Sequence, residues 1–467
     1  MLPLTGISKK PLKLLAPDYN RKRAGNHLLI WKNLPHWMVI DDEFHSLLNK
    51  FNGSRSLQNL LQAEPKLSNH KKQILFEVRN LKSLGVLYEH SRLASKPSDQ
   101  TKIPIESIAL NITKHCNLKC QYCYNHENLS TQTKASCPEL TADEIITFLN
   151  QLKPFLSKTP ALNILGGEPL LAPDKLLRVA GYARKQGFNT LVSSNGTRIS
   201  EDFAKKASKL DIQVQVSVDG HNPALNDPLR GQGIFTRIEE GLKILVKNKA
   251  YTIISMVCCK DNFPYLKDYY KWAKSIGVNE ARFIPLKKMG APADDKLSAV
   301  SVLDMIKQAS RIFSDNPHLA ALAGRDCFSI IANTCRYSNK RISCGTGLQT
   351  LLLDADGSIY PCLNTNIPEF KAANIRDKNF SFRQIWENSP ALKRIRTNSR
   401  IDSMNAACSE CTVRYWCLGG CRGETYANTG RLNAPSNNCP DIRQSIIEMF
   451  WILAEYPDII KPKDKIG

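Results

Sequence analysis

Cys116, Cys120 and Cys123 lie in the stretch Cys116-Asn117-Leu118-Lys119-Cys120-Gln121-Tyr122-Cys123, a CxxxCxxC spacing. Three thiolates at this spacing can hold three irons of a four-iron, four-sulfur cluster. The fourth iron then has no protein ligand, and an open iron is a place for chemistry. Clusters that only carry electrons usually have four protein ligands. The other readings are a zinc site or scattered buried thiols, although zinc favours paired CxxC or mixed Cys/His sets. A second group of cysteines fills the last third of the chain: Cys344, Cys362, Cys408, Cys411, Cys417, Cys421 and Cys439.

The rest of the chain must position these thiols. Its 467 residues suggest two to four domains, and 42% hydrophobic residues suffice for real cores. No apolar run reads as a signal peptide or a membrane span, so a cytoplasmic setting without a membrane partner is expected. Thiols stay reduced there, so the 15 cysteines argue for metal over disulfides. The formal charge of +21 points to an anionic partner such as nucleic acid, an acidic peptide or a lipid surface.

Strand and helix patterns alternate through the middle of the chain. Strands are expected at Ser107–Thr113, Ala161–Gly166, Thr190–Ser194, Ile212–Val218, Thr252–Cys258 and Ala281–Leu286. Helices lie between them; one opens at Thr141 with Glu144 three residues on, a capping box. Six βα repeats imply a parallel sheet and a partial (β/α)6 TIM-like barrel. Active sites of such barrels form at the C-terminal strand ends. The cysteine triplet follows the first strand, Gly166-Gly167-Glu168-Pro169 the second and Ser194-Asn195-Gly196-Thr197 the third. Ser217-Val218-Asp219-Gly220 closes the fourth, with Arg230 beyond it. Residues 1–100 read as a winged-helix-like α/β module. A strand over His27–Trp31 precedes three short helices, capped at Asp41 or Asp42 and at Ser56, and a strand over Val86–Tyr88. Residues 95–104 read as a linker.

Four motifs at four successive strand ends resemble the radical S-adenosylmethionine (SAM) enzymes. The resemblance implies that Cys116, Cys120 and Cys123 hold a [4Fe-4S] cluster whose open iron chelates SAM, which yields a 5′-deoxyadenosyl radical on reduction. It implies further that Tyr122 touches the adenine, that the segment Gly166, Gly167, Glu168, Pro169 binds the SAM ammonium, and that Ser217 and Arg230 contact ribose and carboxylate. Asn195 and Asp219 belong to the same SAM-binding motifs. The C-terminal cysteines resemble the SPASM extension of these enzymes, which implies two auxiliary [4Fe-4S] clusters and three in all. Auxiliary cluster I would take Cys344, Cys362 and Cys421, and cluster II Cys408, Cys411, Cys417 and Cys439. Some family members have a further cysteine before the position of Cys344. Cys335 is preferred here over Cys327, and an open iron is the alternative. Cys137, Cys258 and Cys259 read as ordinary thiols. The expected layout is the module to residue 100, a barrel over 104–325 and an iron–sulfur domain over 326–467.

The N-terminal module resembles the precursor-peptide recognition domain of enzymes that modify ribosomal peptides, which pairs a sheet edge with a leader peptide. Together the resemblances imply a radical SAM peptide maturase that forms a thioether, a carbon–carbon link or an inverted stereocentre. An external donor such as flavodoxin or ferredoxin would supply electrons. The positive charge suits an acidic leader, with Lys71, Lys72 and Lys82 as candidate contacts. An anaerobic sulfatase-maturase-like, formylglycine-forming enzyme is the alternative. That group has an Asp directly after the cysteine equivalent to Cys362, where this chain has Leu363. A nucleic-acid-binding iron–sulfur regulator needs no SAM site, so nucleic acid is not the expected partner.

Overall fold

Strands with one apolar and one polar face build this molecule, a computed structural model that describes residues 10–63, 71–89, 103–123, 125, 138–287, 289, 297–336 and 340–460. Most of the linker expected over 95–104, Cys137, and the side chains of Lys71 and Lys72 lie outside the described residues. The N-terminal module holds β1 (Lys13–Leu14), β2 (Tyr19–Arg23), β3 (Asn26–Trp31), β4 (His36–Asp41) and β5 (Leu87–Tyr88). Strands β2, β3 and β4 form an antiparallel sheet, and β1 pairs with β5. The hairpin between β2 and β3 turns through Ala24 and Gly25, both at positive φ as a two-residue turn requires. Three helices follow, Asp42–Asn49, Leu57–Ala63 and Lys71–Ser83. The Asp41 carboxylate caps the first by accepting from the Phe44 amide at 2.7 Å. Leu12, Leu47, Leu60, Val78 and Leu87 join a core separate from that of the barrel.

The barrel strands are β6 (Ile105–Asn111), β7 (Leu156–Leu165), β8 (Asn189–Ser194), β9 (Gln213–Ser217), β10 (Thr252–Cys258) and β11 (Glu280–Pro285). They pair in parallel in sequence order, as the βα alternation predicts. Helices such as Ala142–Leu152, Pro173–Lys185 and Ile234–Lys247 connect them. The capping box is present: the Thr141 hydroxyl accepts from the Glu144 amide, and the Glu144 carboxylate accepts from the Thr141 amide. Leu162, Ile164, Val192, Val214, Val216 and Met256 put one face of the sheet into the main core. The alternate residues make the other face polar. There Asn163 donates to Ser107 at 3.0 Å, and Arg282 to Gln215 at 2.9 Å.

The C-terminal region extends this sheet through β12 (Thr350–Leu353), β13 (Ser358–Tyr360) and β14 (Ala373–Asn374). Asp356-Gly357 turns the hairpin of β12 and β13, with Gly357 at φ 89°. Strand β12 also lies parallel to β6, so the hairpin closes directly onto the first barrel strand. A final helix, Cys439–Glu455, packs on helices Val302–Asp315 and Cys327–Arg336 and on β4. The N-terminal module docks there: Trp37 stacks on Phe450 at 4.7 Å, and Arg23 forks onto Glu448 at 2.7 and 3.1 Å. Among the described residues no helix is long and apolar enough to cross a membrane.

Candidate active site

Cys116, Cys120 and Cys123 occupy the loop after β6, all partly buried. Burial raises their thiol pKa values, that of Cys123 to about 11, and the charge of Cys120 raises those of Cys116 and Cys123 further. The three thiols therefore sense one another across a shared space. Metal binding deprotonates such thiols, so this donor set fits a cluster with three protein ligands. Among the described residues no three His, Cys, Asp or Glu side chains converge as ligands of a single metal ion must. Zinc needs sulfurs about 2.3 Å from one centre. Cluster thiolates each take a different iron and so stand further apart.

Backbone packing fixes this loop. A Cβ on Gly166 would lie 2.3 Å from the Thr113 carbonyl oxygen, and one on Gly167 only 2.0 Å from that of His115. Only glycines let the end of β7 lie so close to the cysteine loop. The amide of Gly167 donates to Thr113, and that of Glu168 to His115, at 2.8 and 2.7 Å. Asn117 donates to Thr197 and accepts from Asn195, both at 2.9 Å, which ties the loop to the end of β8.

Glu168 is fully buried and turned toward β8. Its carboxylate accepts from the Ser194 hydroxyl at 2.7 Å, the Asn195 amide at 2.7 Å and the Leu170 amide at 3.0 Å. Burial raises its pKa, and these bonds oppose the rise. Its side chain thus clamps two strand ends together, and Pro169 behind it opens the short turn Pro169–Leu171. Ser217 is the last residue of β9. Beyond it, the buried Asp219 and Arg230 and the half-buried Tyr122 form one group. Asp219 accepts from the Tyr122 hydroxyl and the Val257 amide, and Arg230 Nε lies 2.6 Å from its Oδ2. The Arg230 guanidinium stands 5.5 Å over the Tyr122 ring, and its charge opposes the burial-driven rise of the Cys120 pKa. Arg230 itself is held protonated beside Asp219.

The C-terminal cysteines divide into two groups. Cys344 feels the charges of Cys362 and Cys421. Cys417 feels Cys411, Cys439 and Cys408, and burial raises it to about 12. Cys335 joins neither. It sits in helix Cys327–Arg336, 1% exposed in the main core, and only burial acts on its thiol. Its side chain joins the apolar packing of the main core. Cys327 lies near Cys258. Cys258 and Cys259 are both buried.

Several residues of this site carry no motif. Lys114 reaches Asp354 at 3.2 Å and Asp356 at 2.9 Å, which ties the first cysteine loop to the hairpin of β12 and β13. Glu139 accepts from the Lys114 amide at 2.7 Å and the Thr113 hydroxyl at 2.8 Å. A cavity of about 600 Å³ lies at the opposite end of the strands, lined among others by Asn163, Gln213, Glu280, Arg282 and Arg325. Its position at the N-terminal strand ends sets it apart from the cysteine loop.

Comparison with known proteins agrees with this geometry. Residues 110–273 match the radical SAM superfamily, and residues 344–412 match the SPASM iron–sulfur cluster-binding domain. An AdoMet-dependent heme synthase of Methanosarcina barkeri is 27% identical over 339 residues, spanning 69% of this chain and 93% of that protein. The mycofactocin maturase MftC of Mycobacterium ulcerans is 27% identical over 343 residues, spanning 70% of this chain and 86% of that protein. Among solved structures, anSMEcpe with bound AdoMet superposes with a TM-score of 0.61 at 20% identity, covering 78% of this chain and 97% of that one. Streptococcus suis SuiB bound to its precursor peptide SuiA gives 0.58 at 14% identity, covering 92% of this chain and 99% of that one. Residues 110–273 thus form a radical SAM domain that carries the first cysteine group, and residues 344–412 a SPASM domain that carries Cys344, Cys362, Cys408 and Cys411, domains that imply an enzyme using SAM and iron–sulfur clusters.

Proposed function

We propose that this enzyme is a maturase of a ribosomally synthesised precursor peptide. The observation that carries the reading is the joining of three separate cysteine groups to an N-terminal sheet module with exposed strand edges. In this reading Cys116, Cys120 and Cys123 hold the SAM cluster. Tyr122, Gly166, Gly167, Glu168, Pro169, Asn195, Ser217, Asp219 and Arg230 shape the SAM site. Cys344, Cys362 and Cys421 hold one auxiliary cluster, with an open fourth iron favoured over Cys335 by the apolar packing of that thiol. Cys408, Cys411, Cys417 and Cys439 hold the other.

When bound, the cluster and SAM supply a 5′-deoxyadenosyl radical that takes a hydrogen atom from the substrate. The chain's own part is placement. Glu168 and Asn195 fix the strand ends against the cysteine loop, and Asp219 compensates the buried charge of Arg230. The polar sheet face offers hydrogen-bonding groups to a peptide backbone. An external flavodoxin or ferredoxin would deliver the electron in a cytoplasmic setting.

The N-terminal module supports leader recognition. SuiB, solved with a precursor peptide, covers all but 8% of this chain, a share shorter than the module, so the fold match must reach into it. Strand β2 presents Arg21, Lys22 and Arg23 on an edge of its sheet, where an acidic leader could add as a strand. Lys22 is paired with Asp42, Arg23 with Glu448 and Lys82 with Glu89. Arg21 has no ion pair among the described residues and becomes the better probe. Leu363, at the position of the sulfatase maturases' Asp, disfavours the formylglycine-forming reading.

The test compares a leader-plus-core peptide, encoded beside this gene, with its core alone. Mass change of the full peptide only, weakened by Arg21→Glu, is expected. Equal modification of both peptides would contradict leader recognition by the module.

A further inference from the structure

Strand β11, the last of the barrel, ends beside the auxiliary thiols. Two residues after it, Lys287 extends its Nζ to 3.8 Å from the Cys421 Sγ. The Asn364 side-chain amide approaches the same sulfur at 3.4 Å. Cys421 is also the N-cap residue of helix Arg422–Thr429, so the positive end of that helix faces it. Among the described residues no other C-terminal cysteine receives a hydrogen bond from a charged side chain.

The next residue adds to this field. Arg422 is 1% exposed and has no carboxylate partner among the described residues. Its guanidinium donates to the carbonyls of Leu432 at 2.8 Å and Ala434 at 2.7 Å, and to the Thr425 hydroxyl at 3.2 Å. A buried, unpaired guanidinium is costly unless an anion lies nearby. The anions that could compensate it are the thiolates of the two C-terminal cysteine groups, whose charges it feels from both sides. The region thus holds two cations, of which Lys287 is the one that reaches the Cys421 sulfur.

We propose that Lys287 is a redox-setting residue of the auxiliary site containing Cys421. This rests on the reading of Cys344, Cys362 and Cys421 as cluster ligands. Hydrogen bonds to cluster sulfurs and nearby fixed charge raise a cluster's reduction potential, because the added electron is stabilised. With Lys287 and Asn364 donating to one of its sulfurs, this site is the more easily reduced of the two auxiliary sites. It is also the one that touches the barrel mouth.

The test is a redox titration of anaerobically reconstituted full-length protein, followed by electron paramagnetic resonance. Lys287→Met removes charge and donor, Lys287→Arg keeps the charge, and Asn364→Ala removes the second donor. The expected result is a more negative midpoint for one auxiliary signal in Lys287→Met. A smaller shift of that signal is expected in Asn364→Ala and little change in Lys287→Arg, with the SAM-cluster and second auxiliary signals fixed. Unmoved midpoints in Lys287→Met with full iron content would overturn the proposal. If Lys287→Met loads poorly, Asn364→Ala decides alone: a shift of the wrong signal, or none, overturns it. Retention of every auxiliary signal in Cys421→Ala would instead defeat the ligand reading beneath it.

Discussion

Glu168 and Asp219 are both fully buried carboxylates, and neither is spare. Glu168 faces three donors, two at the end of β8 and one in its own turn, so Glu168→Gln would set an amide N–H against some of them. We expect a loss of about 1–3 kcal/mol, the cost of a spoiled buried hydrogen bond, by denaturant unfolding of the cluster-free protein. An unchanged midpoint would show that Glu168 is not the clamp between β7 and β8. Cys120 and Cys417 belong to different thiol groups, so their loss should differ in kind. Cys120→Ala should abolish SAM cleavage, whereas Cys417→Ala should lose peptide product more than cleavage. Equal loss of cleavage in both folded variants would contradict the division. The cysteines and the Gly-Gly-Glu segment were legible in the sequence because the chemistry restricts their types and spacing. Lys287, Asn364 and Lys114 were not, because a single lysine or asparagine carries no spacing and acquires its partner only in the fold.

Among the elements, barrel strands and helices followed their two-residue and 3.6-residue patterns. Strand β2 did not, since Tyr19-Asn-Arg-Lys-Arg23 is mostly exposed and has no apolar alternation to mark it. The hairpin of β12 and β13 was marked by Asp356-Gly357. Its pairing with β6 was invisible, because Asn111 and Asp354, joined at 2.8 Å, lie 243 residues apart. A second long-range tie runs from Arg376 to Glu144, at 2.6 and 3.0 Å. Arg376 is the main reason the Glu144 pKa falls from an ordinary 4.5 to about 2, with the Thr141 amide assisting. A carboxylate depressed in the folded state contributes stability above its unfolded pKa and loses it as pH falls toward its folded one. Arg376→Ala should therefore cost about 1 kcal/mol near neutral pH, given the partial exposure of the pair. The deficit should shrink between pH 4.5 and about 2. Urea unfolding of the cluster-free protein across that range checks this; a pH-independent deficit would mean that Arg376 acts through its bonds to the Pro138 and Glu139 carbonyls and its packing, not through Glu144.

At the scale of the molecule, the first module rests on the last helix. Trp37 stacks on Phe450 and donates to the Cys335 carbonyl at 2.7 Å, so the helix that buries Cys335 also seats the module. This closure from one chain end to the other could not be read from local pattern, which reports each element's face but not its partner. It places a sheet with an exposed basic edge and the C-terminal thiols in one body, an arrangement that the proposed leader recognition would use. The most direct test of the account is one anaerobic assay of reconstituted enzyme, SAM, reductant and the neighbouring precursor peptide. It quantifies 5′-deoxyadenosine and reads the peptide by high-resolution mass spectrometry. The account predicts deoxyadenosine together with a peptide that has lost two hydrogens, or, for an inverted stereocentre, a peptide that takes up deuterium from deuterated water. Protein with full iron content that forms no deoxyadenosine, or forms it while the peptide stays unchanged by both readouts, would contradict it.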